Sequence, residues 1–434
     1  MKSAIVMGSG VAGILAAEAL SRHCETVTVI ERDRLDGSDR GRAGVPQHRH
    51  VHLLWPAGQQ VLESFFPGVL DTLCASGAPR LSFPADARWL STAGWLPRLP
   101  LTKVFTCSRS VLEAALRQRL NKVTIVDRTT ATGLLTDTAG RVVGIRARTA
   151  DGPKTLHADL VVDATGRSSQ LPTWLAEQGH TLPEVTVVDA HMGHATQDFE
   201  IPPEHTPDFK AITLQHRPPA ARRCAYMFLQ ENRKWRCTLA GYGGDYPPNT
   251  DEGFLEYARS LRDPALHSLL VKAKPVSRIS AFRQAANRNH HWEKMSTWPA
   301  GLIALGDSAC AFNPVYGHGM SVSALCAQAL ESWLADGASS TAEFQRAVAR
   351  AASGAWTVAT WEDWRYPETT GARPGVVDRM LIRYYVHALT AATKDVKVCA
   401  ELMNVLSLLK EPRVLLRPGM VMRVAARSLL PRTP

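Results

Sequence analysis

Apolar and polar positions follow a regular order from the amino end. Residues 3–7 read as a short buried strand that enters Gly8-Ser9-Gly10-Val11-Ala12-Gly13, and residues 14–22 continue as a helix. A second strand, 27–30, closes on Glu31. Strand, turn, helix and strand within about thirty residues make a βαβ unit. Apolar positions 111, 112, 115, 116 and 120 share one face of a helix that Ser108 can cap. Residues 123–126, 133–135, 142–148 and 154–157 read as a β-meander, and 158–163 as a buried strand ending in a turn at Gly166. Alternating strands at 184–190, 223–229 and 235–242, with Pro-rich loops and a helix at 250–261, mark a separate antiparallel unit. A strand returns before Asp307, a helix follows over 321–334, and everything beyond Ser340 reads as helices: 342–360, a Trp-rich turn, 377–390 and 398–409.

The predicted fold class is α/β, with a Rossmann-like domain, an inserted antiparallel β-sheet domain and a helical carboxy-terminal region. Boundaries fall at 1–175, 176–278, 279–337 and 338–434, with 79–104 contributing to the inserted domain. A chain of 434 residues with 45% hydrophobic content can bury a core of that size. Three glycines and Glu18 interrupt the first apolar stretch, which argues against a secretory signal. No run of about eighteen apolar residues predicts a membrane span. Eight cysteines without CxxC spacing disfavour a zinc ribbon or a disulfide framework, so a soluble protein of the reducing cytoplasm is expected. The net charge of +10 is concentrated at the end, where Ala372 to Pro434 holds eleven Lys/Arg against four Asp/Glu. That excess suits an acidic partner or a membrane surface, whereas no nucleic-acid motif accompanies it.

Chemistry enters with the glycines. Gly8 permits the tight turn, Gly10 lets a pyrophosphate approach the backbone beside Val11 and Ala12, and Gly13 lets the helix pack close, while Glu31 can accept from ribose hydroxyls. Arg32 opens a polar loop running to Gly44, within which Arg42 suits a phosphate or a flavin edge. His48, His50 and His52 alternate and raise a metal site, but no carboxylate or Cys completes a ligand shell, so no metal is expected. Arg109 in the first turn of its helix opposes the helix dipole, which either a cofactor contact or an ordinary surface position accommodates. Asp163 and Gly166 end one buried strand. Gly306 and Asp307 end another, where the carboxylate can accept from a polyol. Gly317 and Gly319 expose backbone N–H groups ahead of a helix, a seat for partial negative charge. Tyr226, Phe228 and Trp235 are core or pocket lining in the inserted domain.

Gly8-x-Gly10-x-x-Gly13 with Glu31, the Arg109 helix, Asp163-Ala-Thr-Gly166, and Gly306-Asp307 with Pro314 and Gly317-x-Gly319 stand in the order of the FAD-dependent monooxygenases of the aromatic-hydroxylase fold. The resemblance covers roughly residues 1–335. Gly44-Val-Pro-Gln47, His50-x-His52, Trp298-Pro-x-Gly301 and residues 311–321 look like the bacterial flavin epoxidases and hydroxylases of polyether and terpenoid biosynthesis. The resemblance implies FAD, with Arg42 and Arg109 contacting it from the side, Asp307 on the pyrophosphate or ribityl chain, and Pro314 to Met320 framing the isoalloxazine. It further implies O2 as co-substrate and transfer of one oxygen, through a flavin C4a-hydroperoxide, to an electron-rich alkene or arene, and the hydrophobic inserted domain and basic tail suggest that the substrate is bulky and apolar. Thr165-Gly166 stands where hydroxylases that bind NADPH carry an Asp-Gly pair, which argues against direct NADPH binding; the reductant expected is NAD(P)H, directly or through a separate flavin reductase. His50, His52 and His318 are candidates for polar contacts or proton handling. A related prenyl-chain reductase or oxidase shares several motifs. A flavin halogenase shares the cofactor domain, but its Trp-x-Trp-x-Ile-Pro signature and lysine are missing.

Overall fold

The computed structural model describes residues 1–35, 41–283 and 285–428; the middle of the polar loop read between Arg32 and Gly44 lies outside them. Five parallel strands, Leu302–Ala304, Leu160–Asp163, Ser3–Met7, Thr26–Ile30 and Val123–Val126, form the first sheet in that spatial order. Val123–Val126 therefore joins the parallel sheet instead of opening the meander. It follows the helix Arg109–Arg117 as the return of a crossover, and pairs with Thr26–Ile30 from Val27↔Val123 onward. The meander is three-stranded, Thr130–Thr136, Val142–Thr149 and Gly152–His157, and packs Leu134, Ile145 and Ala147 into the core of the parallel sheet.

Helices Val11–Ser21 and Gly319–Ala335 pack against each other through small residues, with Ala16, Ala17, Ala324 and Ala327 fully buried. Small side chains let the two backbones approach, so both helix starts reach the same edge of the sheet. Register sets that edge: Met7 pairs with Ile30 and Asp163, and Asp163 with Ala304. Gly8, Glu31, Ala164 and Leu305 thus leave the sheet side by side at its carboxyl end, where ligands of open parallel sheets bind.

A seven-stranded sheet forms the second body, with Gly193–Glu200, Trp235–Gly241, Arg223–Leu229 and Ala211–Leu214 at its centre. Ala87–Leu90 adds to it, parallel to Ala211–Leu214. Thr186–Asp189 instead pairs with Asn287–Asn289 and Thr370–Gly371 in a small separate sheet. The helix beginning at Thr341 runs on to Asp363, through the predicted Trp-rich turn, because Ser340 caps its start and Val348, Ala352, Ala355 and Ala359 keep one buried face. Helices Val376–Ala392 and Val396–Leu406 then pack on the second sheet through Tyr385, Leu389 and Leu402. None of the described helices is long and apolar enough to cross a membrane.

Candidate flavin and substrate site

One cavity of about 610 Å³ runs from the glycine turn into the space between the two sheets and the carboxy-terminal helices. At its first end, Gly8 has φ +101°, and a Cβ there would stand 2.7 Å from the Ala164 carbonyl oxygen. A Cβ on Gly13 would strike the Gly8 carbonyl oxygen at 1.8 Å, so Gly13 serves close packing and does not face the cavity. Gly10 differs. Its nearest neighbour would be the Arg109 guanidinium at 3.6 Å, which leaves a cradle in front of a helix start that no side chain of the described residues caps. The Ser9 hydroxyl there is buried and has no hydrogen-bond partner among the described residues.

Glu31 accepts from the Ser9 amide at 2.8 Å and the Asp33 amide at 3.0 Å, and lines the cavity beside Arg32. Arg42, expected on the cofactor, lies instead behind this wall. It reaches Glu31 at 2.8 Å, Glu113 at 2.7 Å and the Ser9 carbonyl at 3.1 Å, and so braces the turn from below. Arg109 lines the cavity and donates to Glu113 at 2.8 Å. Burial pushes the Glu113 carboxyl up, but Arg109 and Arg42 outweigh it and hold it down at about 2. Sequence reading passed over Glu113, whose signal was its place four residues after Arg109 beside the apolar stripe.

Asp163 is fully buried away from the cavity, and holds the Ala164-to-Ser169 turn by accepting from the Thr165 amide at 3.0 Å and hydroxyl at 2.6 Å. Gly166, with φ +77°, does line the cavity. Gly306 packs against Ala12, where a Cβ would meet its methyl at 2.9 Å, and so presents Asp307 to the cavity without touching it. The Asp307 carboxylate stands 3.5 Å from where a Gly319 Cβ would be. Pro314, Gly317, Gly319 and Met320 line the same wall, at the start of helix Gly319–Ala335, which has no side-chain cap. The Trp55 indole donates to the Tyr316 carbonyl at 3.2 Å and steadies this loop.

The second fastening of the loop was not legible in the sequence. Asp363, fully buried at the end of its helix, accepts from the Tyr316 hydroxyl at 2.6 Å, Asn287 at 2.6 Å and Asn313 at 3.2 Å. Burial pushes its carboxyl up to about 7, against the pull of Tyr316 and Asn313.

The three histidines do not share a strand face: Pro46–Arg49 is a short helical turn. His50 bonds the Thr196 hydroxyl at 2.8 Å, His52 the Gln47 carbonyl at 2.7 Å, and His48 its own turn. No metal-binding cluster exists among the described residues. Burial lowers His50 to about 4, His52 to about 3 and His318 to about 4, so all three are neutral at pH 7. Among the described residues His318 meets hydrogen-bond geometry at neither ring nitrogen, though the Leu406 backbone stands near it. Tyr226 and Phe228 line the cavity. Trp235 does not: it is 4% exposed and packs edge-on against Phe209 in the core of the second sheet, because its strand position faces inward.

FAD fits these residues. The open cradle at Gly10, the uncapped helix starts, the unpartnered Ser9 hydroxyl and the carboxylates of Glu31 and Asp307 are the complement of a pyrophosphate flanked by polyols. A profile of the family described as FAD dependent oxidoreductase matches residues 4–174. Protein Rv3254 of Mycobacterium tuberculosis is 32% identical over 372 residues, 81% of this chain and 78% of that protein. Among solved structures, the flavin-dependent brominase Bmp2 is similar at TM-score 0.69 and 14% identity, over 98% of this chain and 97% of its own. PqsL, a probable FAD-dependent monooxygenase from Pseudomonas aeruginosa, is similar at TM-score 0.61 and 17% identity, over 93% of this chain and 99% of its own.

Proposed function

The chain belongs to the FAD-dependent oxidoreductases, and we propose that it is a monooxygenase that places one oxygen atom from O2 on a bulky apolar natural-product intermediate, by epoxidation or hydroxylation. The observation that carries this reading is the continuity of the cavity. The glycine turn and Asp307 open into a compartment walled by Trp55, Phe83, Trp89 and Phe228, so a cofactor and an apolar substrate can meet without water between them. Bound FAD supplies electron transfer to O2 and oxygen transfer to an electron-rich carbon, the second oxygen leaving as water. The two electrons come from NAD(P)H, directly or through a flavin reductase.

The protein's own residues have three tasks. Gly8, Gly10 and the start of helix Val11–Ser21 would hold the pyrophosphate, with Glu31 on a ribose and Asp307 on the polyol chain. Backbone N–H groups at Gly317 to Met320, with the following helix dipole, would stabilise negative charge on the reduced ring. The aromatic wall excludes water and orients the substrate. No nucleophile is needed, and the neutral histidines serve as polar contacts.

A halogenase reading is raised by the fold shared with Bmp2. It calls for a lysine between flavin and substrate, and among the described residues no lysine lines the cavity. The basic carboxy-terminal region is proposed to meet an acidic carrier protein or a membrane surface that presents the substrate; charge reversal at Arg413, Arg417 and Arg423 should slow turnover. The main reading is tested by the absorbance spectrum of the purified protein, followed by reduction with dithionite and rapid mixing with O2. Flavin bands, then a transient distinct from the reduced and oxidised spectra, are expected. Reoxidation without a transient would favour a reductase or oxidase, and a colourless protein that takes up no FAD would remove the proposal.

A further inference from the structure

Away from the glycine turn the cavity wall mixes aromatic and aliphatic side chains with neutral polar ones such as Thr213, Gln215 and Thr238, and the end of helix Thr341–Asp363 sets one carboxylate into it, that of Glu362, whose side chain is 7% exposed. Burying a charge costs several kcal/mol unless partners answer it. Two do so at one oxygen: Oε2 accepts from Arg365 Nη1 at 2.7 Å and from His216 Nε2 at 3.4 Å. No hydrogen bond within 3.5 Å reaches the other oxygen, Oε1, from the described residues; the Tyr385 phenol, which also lines the cavity, stands close enough to pair with the carboxylate. Burial pushes Glu362 up, but Arg365 and His216 prevail and hold it at about 2, so it is an ionised acceptor at neutral pH.

His216 sharpens the pattern. A carboxylate oxygen only accepts, so Nε2 of His216 carries the hydrogen, and burial keeps the ring from charging. Its Nδ1 is then a bare acceptor, buried and without a partner among the described residues. Trp89, elsewhere on the wall, has a buried indole N–H without a partner among the described residues. Buried polar groups are normally paired, and these two are left unpaired within the wall itself. An anionic ligand group would be repelled by Glu362, and an ammonium is disfavoured because Arg365 already supplies the counter-charge. A neutral hydroxyl, which donates to Glu362 without bringing charge, remains.

We propose that Glu362 is a specificity-determining residue, accepting a hydrogen bond from an alcohol or phenol hydroxyl on an otherwise apolar, ring-bearing substrate. The inference rests on the reading of this cavity as a substrate pocket. Its neighbour in sequence, Asp363, clamps the loop Pro314–Tyr316, so the hydroxyl contact sits one residue from the fastening of the flavin-facing wall.

Calorimetric titration of the FAD-loaded protein with 2-naphthol, 2-methoxynaphthalene and 2-naphthoate tests it without turnover. In the unmodified protein 2-naphthol should bind at least about tenfold tighter than the methyl ether, the scale of a hydrogen bond to a charged group, and 2-naphthoate should bind weakest. Glu362→Gln should shrink the naphthol-to-ether preference to about threefold or less. Equal affinity for naphthol and ether in the unmodified protein, naphthoate binding as tightly as naphthol, or no saturable naphthol binding would each overturn the proposal, whether or not the variant folds. The flavin spectrum and its response to O2 are read separately, so failure here is distinct from failure of the monooxygenase reading.

Discussion

Glu113 and Asp363 are both buried carboxylates, and their surroundings push them in opposite directions. Glu113 has three arginines: Arg42 at 2.7 Å, Arg109 at 2.8 Å and Arg117 at 3.4 Å. Its folded pKa is depressed, so its contribution to stability is present above the ordinary Glu range and is lost as pH falls toward about 2. Glu113→Gln should cost about 3 kcal/mol, because buried guanidinium charge is left less well answered; the urea midpoint at neutral pH measures this. Asp363 accepts from the uncharged donors Tyr316, Asn287 and Asn313, and Glu362 and Asp189 both oppose its charge. Its folded pKa is raised, so its contribution is complete at acidic pH and is lost as pH rises through about 7. Asp363→Asn should therefore lose less melting temperature than the unmodified protein between about pH 6 and pH 8. An unchanged slope in the variant would place the titration elsewhere.

At the scale of elements, the glycine turn separates packing from binding. Gly10 has φ −80°, and a Cβ there would meet only the Arg109 guanidinium at 3.6 Å and the Glu113 carboxylate at 3.9 Å, ordinary contacts, so Gly10→Ala should leave the FAD-free protein within about 0.5 kcal/mol of its normal stability. The methyl would occupy the cradle, and FAD affinity should fall at least about tenfold, as flavin fluorescence quenching would report. Gly13→Ala should instead fail at the level of the fold, since its methyl would stand 1.8 Å from a backbone oxygen of the same turn. Trp235→Ala offers the complementary case in the second sheet. Truncation in a packed core should cost about 3–5 kcal/mol in a denaturant melt while leaving FAD affinity unchanged.

For the molecule as a whole, the cavity is built by three bodies that meet around it: the parallel sheet, the seven-stranded sheet and the carboxy-terminal helices. A ligand that touches only the assembled state stabilises it, so FAD at one hundred times its dissociation constant should add about 2.7 kcal/mol to unfolding. Thermal melts at rising FAD concentration check this. A melt insensitive to FAD would mean that the glycine turn and Asp307 do not hold it.

The amino-terminal βαβ unit, its glycines and Glu31 were legible because each depends on neighbours close in the chain: a turn, a helix start, a strand end. Gly8, Gly166 and Asp307 could likewise be placed at the ends of buried strands from local pattern alone. What the sequence could not decide is which charges face one another. Arg42 and Arg109 read alike as cofactor contacts, and only the packing of helix Arg109–Arg117 against the turn puts Glu113 between them and draws Arg42 behind the wall. Trp235 and Phe228 were both aromatic candidates in paired strands, yet one faces the core and the other the cavity, because pleat and register assign the face. Glu362 and Asp363 lay in what read as a turn after a helix. Their roles arise from contacts with His216, Asn287 and Tyr316, residues 47 to 146 positions away, and such long-range pairings are set by tertiary packing, not by local periodicity.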